Sequence, residues 1–241
     1  MRDYKNEFEK RVEFIKQVLK ESKCEGIVYG NSGGKDCALV SILCKAACEN
    51  TVGIILPCIS KRNYESDTID ALKVAKQFNI ETKTLDLTAV KETFLQELNK
   101  ITSPNNAALN NIAPRLRMLS LYSYAASNNM LVAGTGNRSE VYVGYFTKWG
   151  DGGHDFNPIY DLTVTEVYEF LRYLNAPEEI INKKPSAGLF EGQTDEAEMG
   201  IQYADIDNYL LYNKGDKKTI EKIEKMHKAT NHKREEIKRY K

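Results

Sequence analysis

The chain has 241 residues, is 41% hydrophobic and 28% charged, and balances 34 Lys plus Arg against 34 Asp plus Glu. That length holds one large domain, or at most two small ones, around a sizeable core. The zero net charge argues against nucleic acid as a partner held by bulk electrostatics, and no run of ~18 apolar residues is present to span a membrane. The N-terminal MRDYKNEFEK is charged and has no apolar centre, so it does not read as a secretory signal, and the expected location is cytoplasmic.

Residues 4–20 read as a helix with Phe8, Val12, Ile15 and Leu19 on one apolar face. IVY after Gly26 is a short strand, 35–48 has the length and alanine content of a helix, and TVGIILP (51–57) is a strand buried on both faces and ended by Pro57. Asn63 can cap a helix that turns Ile69, Leu72, Ala75 and Phe78 inward. TKTLDL (82–87) is a third strand, a helix covers roughly 89–99, and TSPNNAALNN (102–111) reads as a polar loop. Residues 114–127 form a helix opened by Pro114, apolar on nearly every side, which belongs in the core or in a subunit interface. LVAGTG (131–136) is a fourth strand, Thr163 and Glu166 make a capping box, and a C-terminal helix carries Ile220, Ile223 and Met226. The alternation of strand and helix from 26 to about 136 predicts an α/β fold with a parallel sheet and helices on both faces.

Five cysteines, Cys24, Cys37, Cys44, Cys48 and Cys58, contain no C-x-x-C pair, and Cys44 and Cys48 lack a second pair to complete a zinc site. The ordinary reading is reduced structural thiols, and only Cys37 stands in a position of interest. It ends the run YGNSGGKDC, which lies between the first strand and the next helix. Amides at a helix start are unpaired and carry partial positive charge, and glycines let a bulky anion approach them. The spacing is neither a Walker loop nor G-x-G-x-x-G. A carboxylate beside a phosphate cradle is repulsive unless a cation lies between, so Asp36 suggests Mg²⁺ bridging to a polyphosphate. A helix-start aspartate needs no such explanation when it is alone. Here a serine and paired glycines precede it.

GNSGGKDC resembles the S-G-G-x-D-S loop of the adenine-nucleotide alpha-hydrolase-like ATP pyrophosphatases, and by itself identifies only that superfamily. GTGNRSEVYVGYFTKWGDGGHDFNPIYDLTVTEVY (134–168), KKPSAGLFEGQTDEAEMGIQYADIDNYL (183–210) and NHKR (231–234) resemble the NAD synthetase family, nearly collinearly from about residue 8 to 234. The resemblance implies a Rossmann-like three-layer α/β/α fold with a mainly parallel sheet and extra helices at the C-terminus. It implies amidation of deamido-NAD with ammonia, ATP and Mg²⁺, through an acyl-adenylate, to NAD, AMP and pyrophosphate. It places Gly30, Asn31, Ser32, Gly33, Gly34, Lys35, Asp36, Cys37, Thr135 and Ser186 on ATP, and Asp36 and Glu140 on the metal. Arg115, Lys148, Asp155, His232 and Lys233 fall on deamido-NAD, with Lys148 and Asp155 as candidate catalytic residues, Asp155 for binding and deprotonating ammonium. Arg117 reads as structural, and His154 and His227 as ordinary surface residues.

Two departures stand out. Cys37 replaces the usual serine, and a thiol is a weaker donor than a hydroxyl. Val164 stands where many relatives carry a lysine that contacts ATP. The expected organisation is a single synthetase domain over 1–241 without a nitrilase-type glutaminase domain, so the nitrogen donor is expected to be free ammonia. The family further implies a homodimer with the dinucleotide at the subunit boundary, and the 114–127 helix, with Tyr122 and Tyr124, suits that boundary. The rival readings are another amidating or thiolating ATP pyrophosphatase and a non-catalytic adenine-nucleotide sensor. A thiolating tRNA enzyme would want paired cysteines and a basic face, and neither is present in the sequence.

Overall fold

The computed structural model describes residues 2–58, 66–183 and 194–240. Four parallel strands form one sheet in the order β3-β2-β1-β4: β1 is Gly26–Gly30, β2 Thr51–Ile55, β3 Glu81–Thr84 and β4 Met130–Val132. Side chains alternate across a strand. Ile27 and Tyr29 therefore enter one core, while Val28 enters another with Val52, Ile54 and Val132. The first core lies under α1 (Tyr4–Ser22), α2 (Lys35–Ala47), α3 (Ser66–Gln77) and α7 (Val164–Tyr173), through Ile15, Leu39, Val74 and Phe170. The opposite face is covered by α5 (Asn106–Ser127), through Ala113, Leu121 and Ala125. Helices thus cover both faces of a parallel sheet, as the alternation of elements requires. Among the described residues no helix is long and apolar enough to cross a membrane.

Several local expectations change. The third strand ends at Thr84, three residues early, although Leu85 N still donates to Ile55 O at 3.0 Å. The cap expected at Asn63 lies outside the described residues. In α3, Ile69 is 54% and Leu72 48% exposed, and the inward face is Ala71, Val74 and Ala75. That helix docks on the glycine turn, where only small side chains fit: a Cβ on Gly33 would stand 3.1 Å from Ala71 N. The polar stretch read as a loop supplies the first turns of α5. Asn105 caps the helix by accepting from Ala108 N at 2.9 Å, so Pro114 lies inside it and not at its start. An interior proline costs about 3 kcal/mol. Burial of Ile112, Ala113 and Pro114, with Gly150 close against the ring, offsets that cost.

The last third of the chain adds α6 (Arg138–Val143), α8 (Glu178–Ile181), α9 (Asp195–Met199), α10 (Tyr203–Tyr212) and α11 (Lys217–Ala229). Val143, Val164, Met199, Ile206 and Ile223 form a third core, while Ile180 and Ile181 of α8 pack into the first. Val164 is therefore a packing residue, as its apolar chemistry demands. His227 is not a free surface residue: its ring stacks on Tyr142 with centroids 4.1 Å apart. His154 is also half-buried, and burial lowers its pKa despite the neighbouring Asp155 carboxylate.

The N-terminal helix is tied down from far along the chain. Arg11 donates to Asp161 at 2.7 Å and to Pro158 O at 2.5 Å, and Arg2 donates to Glu166 at 2.6 Å. Partial burial alone would raise the Asp161 pKa, but the hydrogen bonds and charge of Arg11, with Arg2, hold it below the usual carboxylate range. A depressed folded-state pKa contributes stability above the unfolded value of about 4, and that contribution is lost as pH falls through the lower folded value. Urea midpoints measured between neutral pH and about pH 3 should therefore fall less steeply for Asp161→Asn than for the parent chain.

Candidate active site

Strand β1 ends at Gly30, and the chain turns through Asn31–Gly34 into α2. Gly33 has φ +70, and a Cβ there would stand 2.2 Å from Asp67 O, so the turn needs glycine for both its conformation and its clearance. Asn31 is buried and braces the turn, accepting from Gly33 N and donating to Ala71 O, both at 3.4 Å. Gly34 caps α2 without a side chain, so no side-chain acceptor covers the first-turn amides, which remain suited to an anion. Ser32 Oγ lies 3.1 Å from Cys37 Sγ, and burial pushes the Cys37 thiol up in pKa although Ser32 and Thr135 oppose the shift.

The acidic half of the site comes from the fourth strand end. Asn137 and Glu140 form a capping box at the start of α6. Asn137 also donates to Asp36 Oδ1 at 3.1 Å. Lys35 Nζ lies 2.6 Å from Asp36 Oδ2 and 3.7 Å from Glu140 Oε1, and is 6% exposed. Burial works against the Lys35 charge, but Asp36 and Glu140 outweigh it and hold the ammonium well above the usual lysine range. Glu140 is pushed up to about 8 by burial and by Asp36, against the pull of Lys35, with buried Asp195 adding to the rise.

These groups line a cavity of about 630 Å³. Of the residues expected on ATP or metal, Gly30, Asn31, Ser32, Gly34, Lys35, Asp36, Cys37, Thr135 and Glu140 line it, while Gly33 braces the turn from behind. Ser186 lies outside the described residues. Lys233 also lines the cavity, but its ammonium is engaged by Gly144 O at 2.7 Å and Phe146 O at 2.6 Å. Arg115, Lys148 and His232 meet outside the lining. Arg115 approaches Lys148 O at 3.4 Å, and Lys148 Nζ donates to His232 O at 2.6 Å. Asp155 stands apart from that trio, accepting from Tyr122 OH at 3.1 Å and Val132 N at 2.7 Å.

Such a hollow, at the carboxyl ends of parallel strands, is where open α/β folds bind ligands. The family model described as NAD synthase matches residues 7–237. The chain belongs to the NAD synthase family. With that family it joins the ligases of NAD biosynthesis. It is 46% identical to an NH(3)-dependent NAD(+) synthetase of Carboxydothermus hydrogenoformans, over 96% of each chain. An NMN synthetase structure from Francisella tularensis is 36% identical with a TM-score of 0.94, over 100% of this chain and 99% of that one. An NH3-dependent NAD synthetase from Campylobacter jejuni is 31% identical with a TM-score of 0.81, over the full length of both.

The donor set of the site fits Mg²⁺. Asp36 and Glu140 offer hard carboxylate oxygens, and both approach one ammonium. Among the described residues no cluster of three acidic, His or Cys ligands forms an all-protein cage. Mg²⁺ commonly takes one or two carboxylates and completes its shell with phosphates and water. Sequence reading missed Lys183, whose ammonium meets Asp67 at 2.8 Å, Asp70 at 2.6 Å and Gly33 O at 3.4 Å, behind the turn. It also missed Asp195, although both lie within a quoted motif block, because nothing in the sequence marks either as facing the first strand. Arg117, expected to be structural, donates to Leu56 O at 3.0 Å and lines the cavity as well.

Two outcomes test this arrangement. Lys35→Met removes a buried cation from between the half-buried carboxylates of Asp36 and Glu140 and should cost about 3 kcal/mol in urea unfolding. Millimolar Mg²⁺ should restore more stability to that variant than to the parent. Cys37→Ser should lower the KM for ATP in steady-state assays, because a hydroxyl donates more strongly than a thiol.

Proposed function

We propose that the chain is an ammonia-dependent NAD synthetase that converts deamido-NAD, ATP and ammonia to NAD, AMP and pyrophosphate. The observation that carries this reading is the approach of Asp36 and Glu140 to one ammonium beside the amide-rich turn, in a family whose curated relatives carry that name. A carboxylate is a poor electrophile, so amide formation needs a leaving group. The nicotinate carboxylate oxygen bonds the α-phosphorus of ATP as the bond to pyrophosphate breaks. Ammonia then bonds the acyl carbon, AMP leaves, and the surplus ammonium protons pass to a base.

In this reading the unpaired amides at the start of α2, residues 35–37, hold the phosphates of ATP within the 30–37 turn, and Ser32, Cys37 and Thr135 bond its oxygens. Asp36 and Glu140 would hold Mg²⁺, which supplies charge neutralisation for the polyphosphate when bound. Lys148, which keeps two further N–H donors beside its bond to His232 O, neutralises charge developing on phosphoryl oxygens. Arg115, His232 and Lys233 face the dinucleotide. Asp155 binds ammonium and takes its proton, because ammonia is mostly protonated near neutral pH. Residues 1–241 act as one synthetase domain supplied with free ammonia.

The working form is a homodimer. On α5, Leu119 is 64% exposed and Tyr122 is exposed beside it, and α4 (Thr88–Leu98) exposes Val90 and Phe94. These apolar side chains support a covered face. Light scattering at micromolar concentration should give about twice 27.4 kDa.

A second reading, amidation of nicotinate mononucleotide to NMN, is favoured by the TM-score of 0.94 to the Francisella enzyme. One assay separates the two. The protein is mixed with ATP, Mg²⁺ and ammonium, and either the dinucleotide or the mononucleotide acid is added. Faster amide and AMP formation from the dinucleotide is expected; a preference for the mononucleotide would select the second reading. Asp155→Asn should retain acid-dependent pyrophosphate release but lose about 100-fold in amide formation, and equal rates for both steps would remove Asp155 from its role.

A further inference from the structure

Helix α6 spans only Arg138–Val143 and holds Glu140 at its third position. A helix of that length has no stability of its own, so its place is set by what grips it. Its front is fixed by the capping box and by buried Ser139, which donates to Asp207 Oδ1 at 2.5 Å. Its back is gripped by one segment of the chain. The four successive carbonyls at its C-terminal end each meet a different side chain from residues 227–234. Arg234 Nη1 donates to Val141 O at 3.1 Å. His227 Nδ1 lies 2.8 Å from Tyr142 O, a bond that needs the proton on Nδ1. Thr230 Oγ1, whose shortest acceptor is Met226 O of its own helix at 2.8 Å, also lies 3.2 Å from Val143 O, and Lys233 Nζ donates to Gly144 O at 2.7 Å. These carbonyls have few partners within so short a helix, and three of the four side chains are of basic type, suited to the negative end of its dipole.

The grip is close and internally braced. Gly144 has φ +73, and a Cβ there would stand 2.2 Å from Thr230 Cβ. Arg234 also donates to Thr230 Oγ1 at 2.8 Å and to His227 O, which ties the segment to itself. Past α6, Lys233 reaches Phe146 O, and His232 O receives Lys148 Nζ at 2.6 Å.

We propose that residues 227–234 are a positioning element that sets Glu140 on one side of the reacting groups and Lys148 on the other, with Thr230 and Arg234 as its positioning residues. The catalytic consequence rests on the functional reading above. The grip on α6 does not.

The test compares Arg234→Met, Thr230→Val and Arg234→Lys in the full chain. Amide hydrogen exchange over 138–148 should quicken about tenfold in Arg234→Met and Thr230→Val, while β1 and β2 stay protected. The kcat for amide formation should fall about tenfold in both, with a higher Mg²⁺ requirement, and Arg234→Lys should recover part of each loss. Unchanged exchange over 138–148 would overturn the proposal. So would exchange that quickens equally across the sheet, or local loosening with kcat and Mg²⁺ requirement intact. If the parent chain amidated neither acid, the functional reading would fail, while the exchange data would still decide the grip.

Discussion

A single buried ammonium joins the two halves of this molecule. Lys35 comes from the helix after the first strand, and Glu140 from the helix after the fourth. Its nitrogen lies 2.6 Å from Asp36 and 3.7 Å from Glu140. Two carboxylates this close repel strongly where water is scarce. The lysine allows them to share the cavity, while burial and the Asp36 charge push the Glu140 carboxyl up in pKa against the pull of Lys35. The amides of the neighbouring turn favour an anion. The cavity therefore holds a negative locus against a positive one, which suits a polyphosphate that arrives with its own cation.

That arrangement needs a rigid frame, and the frame is the carboxyl edge of the parallel sheet. Gly30 ends the central strand β1 there, and the turn after β4 carries Thr135, Asn137 and Glu140 to the same edge. The two turns are side by side because β4 pairs directly with β1. Contacts from behind hold each in place. Asp67 O and Ala71 crowd Gly33, Lys183 bonds Gly33 O, and Asp207 and the C-terminal segment hold α6. A small shift of either turn would separate carboxylates that must meet one ion.

Charge and glycine were readable along the chain. The turn at 30–37 announced an anion site because unpaired helix-start amides and bare backbone are local properties. The parallel sheet followed from alternating elements, and Ile27 and Val28 each face a core as buried strands require. The reading failed where distant packing outweighed local preference. Pro114 looked like a helix start, yet Asn105 caps the helix and burial of the proline sustains it. Ile69 and Leu72 looked like an inner face, yet α3 turns its alanines to the glycine turn.

By itself the sequence determined the chemistry available: a phosphate-type turn, an aspartate that calls for a cation, and a family likeness that reached Glu140. Tertiary structure decided which of those groups meet. It brought Lys35 between Asp36 and Glu140, drew Asp195 to the same pocket, and engaged Lys233 with carbonyls past α6. It also set Asp155 apart, against Tyr122 and the backbone of β4. The reason is that a residue's type and its neighbours in the chain fix what it can bond, whereas the partner it bonds depends on contacts between segments that no local pattern encodes.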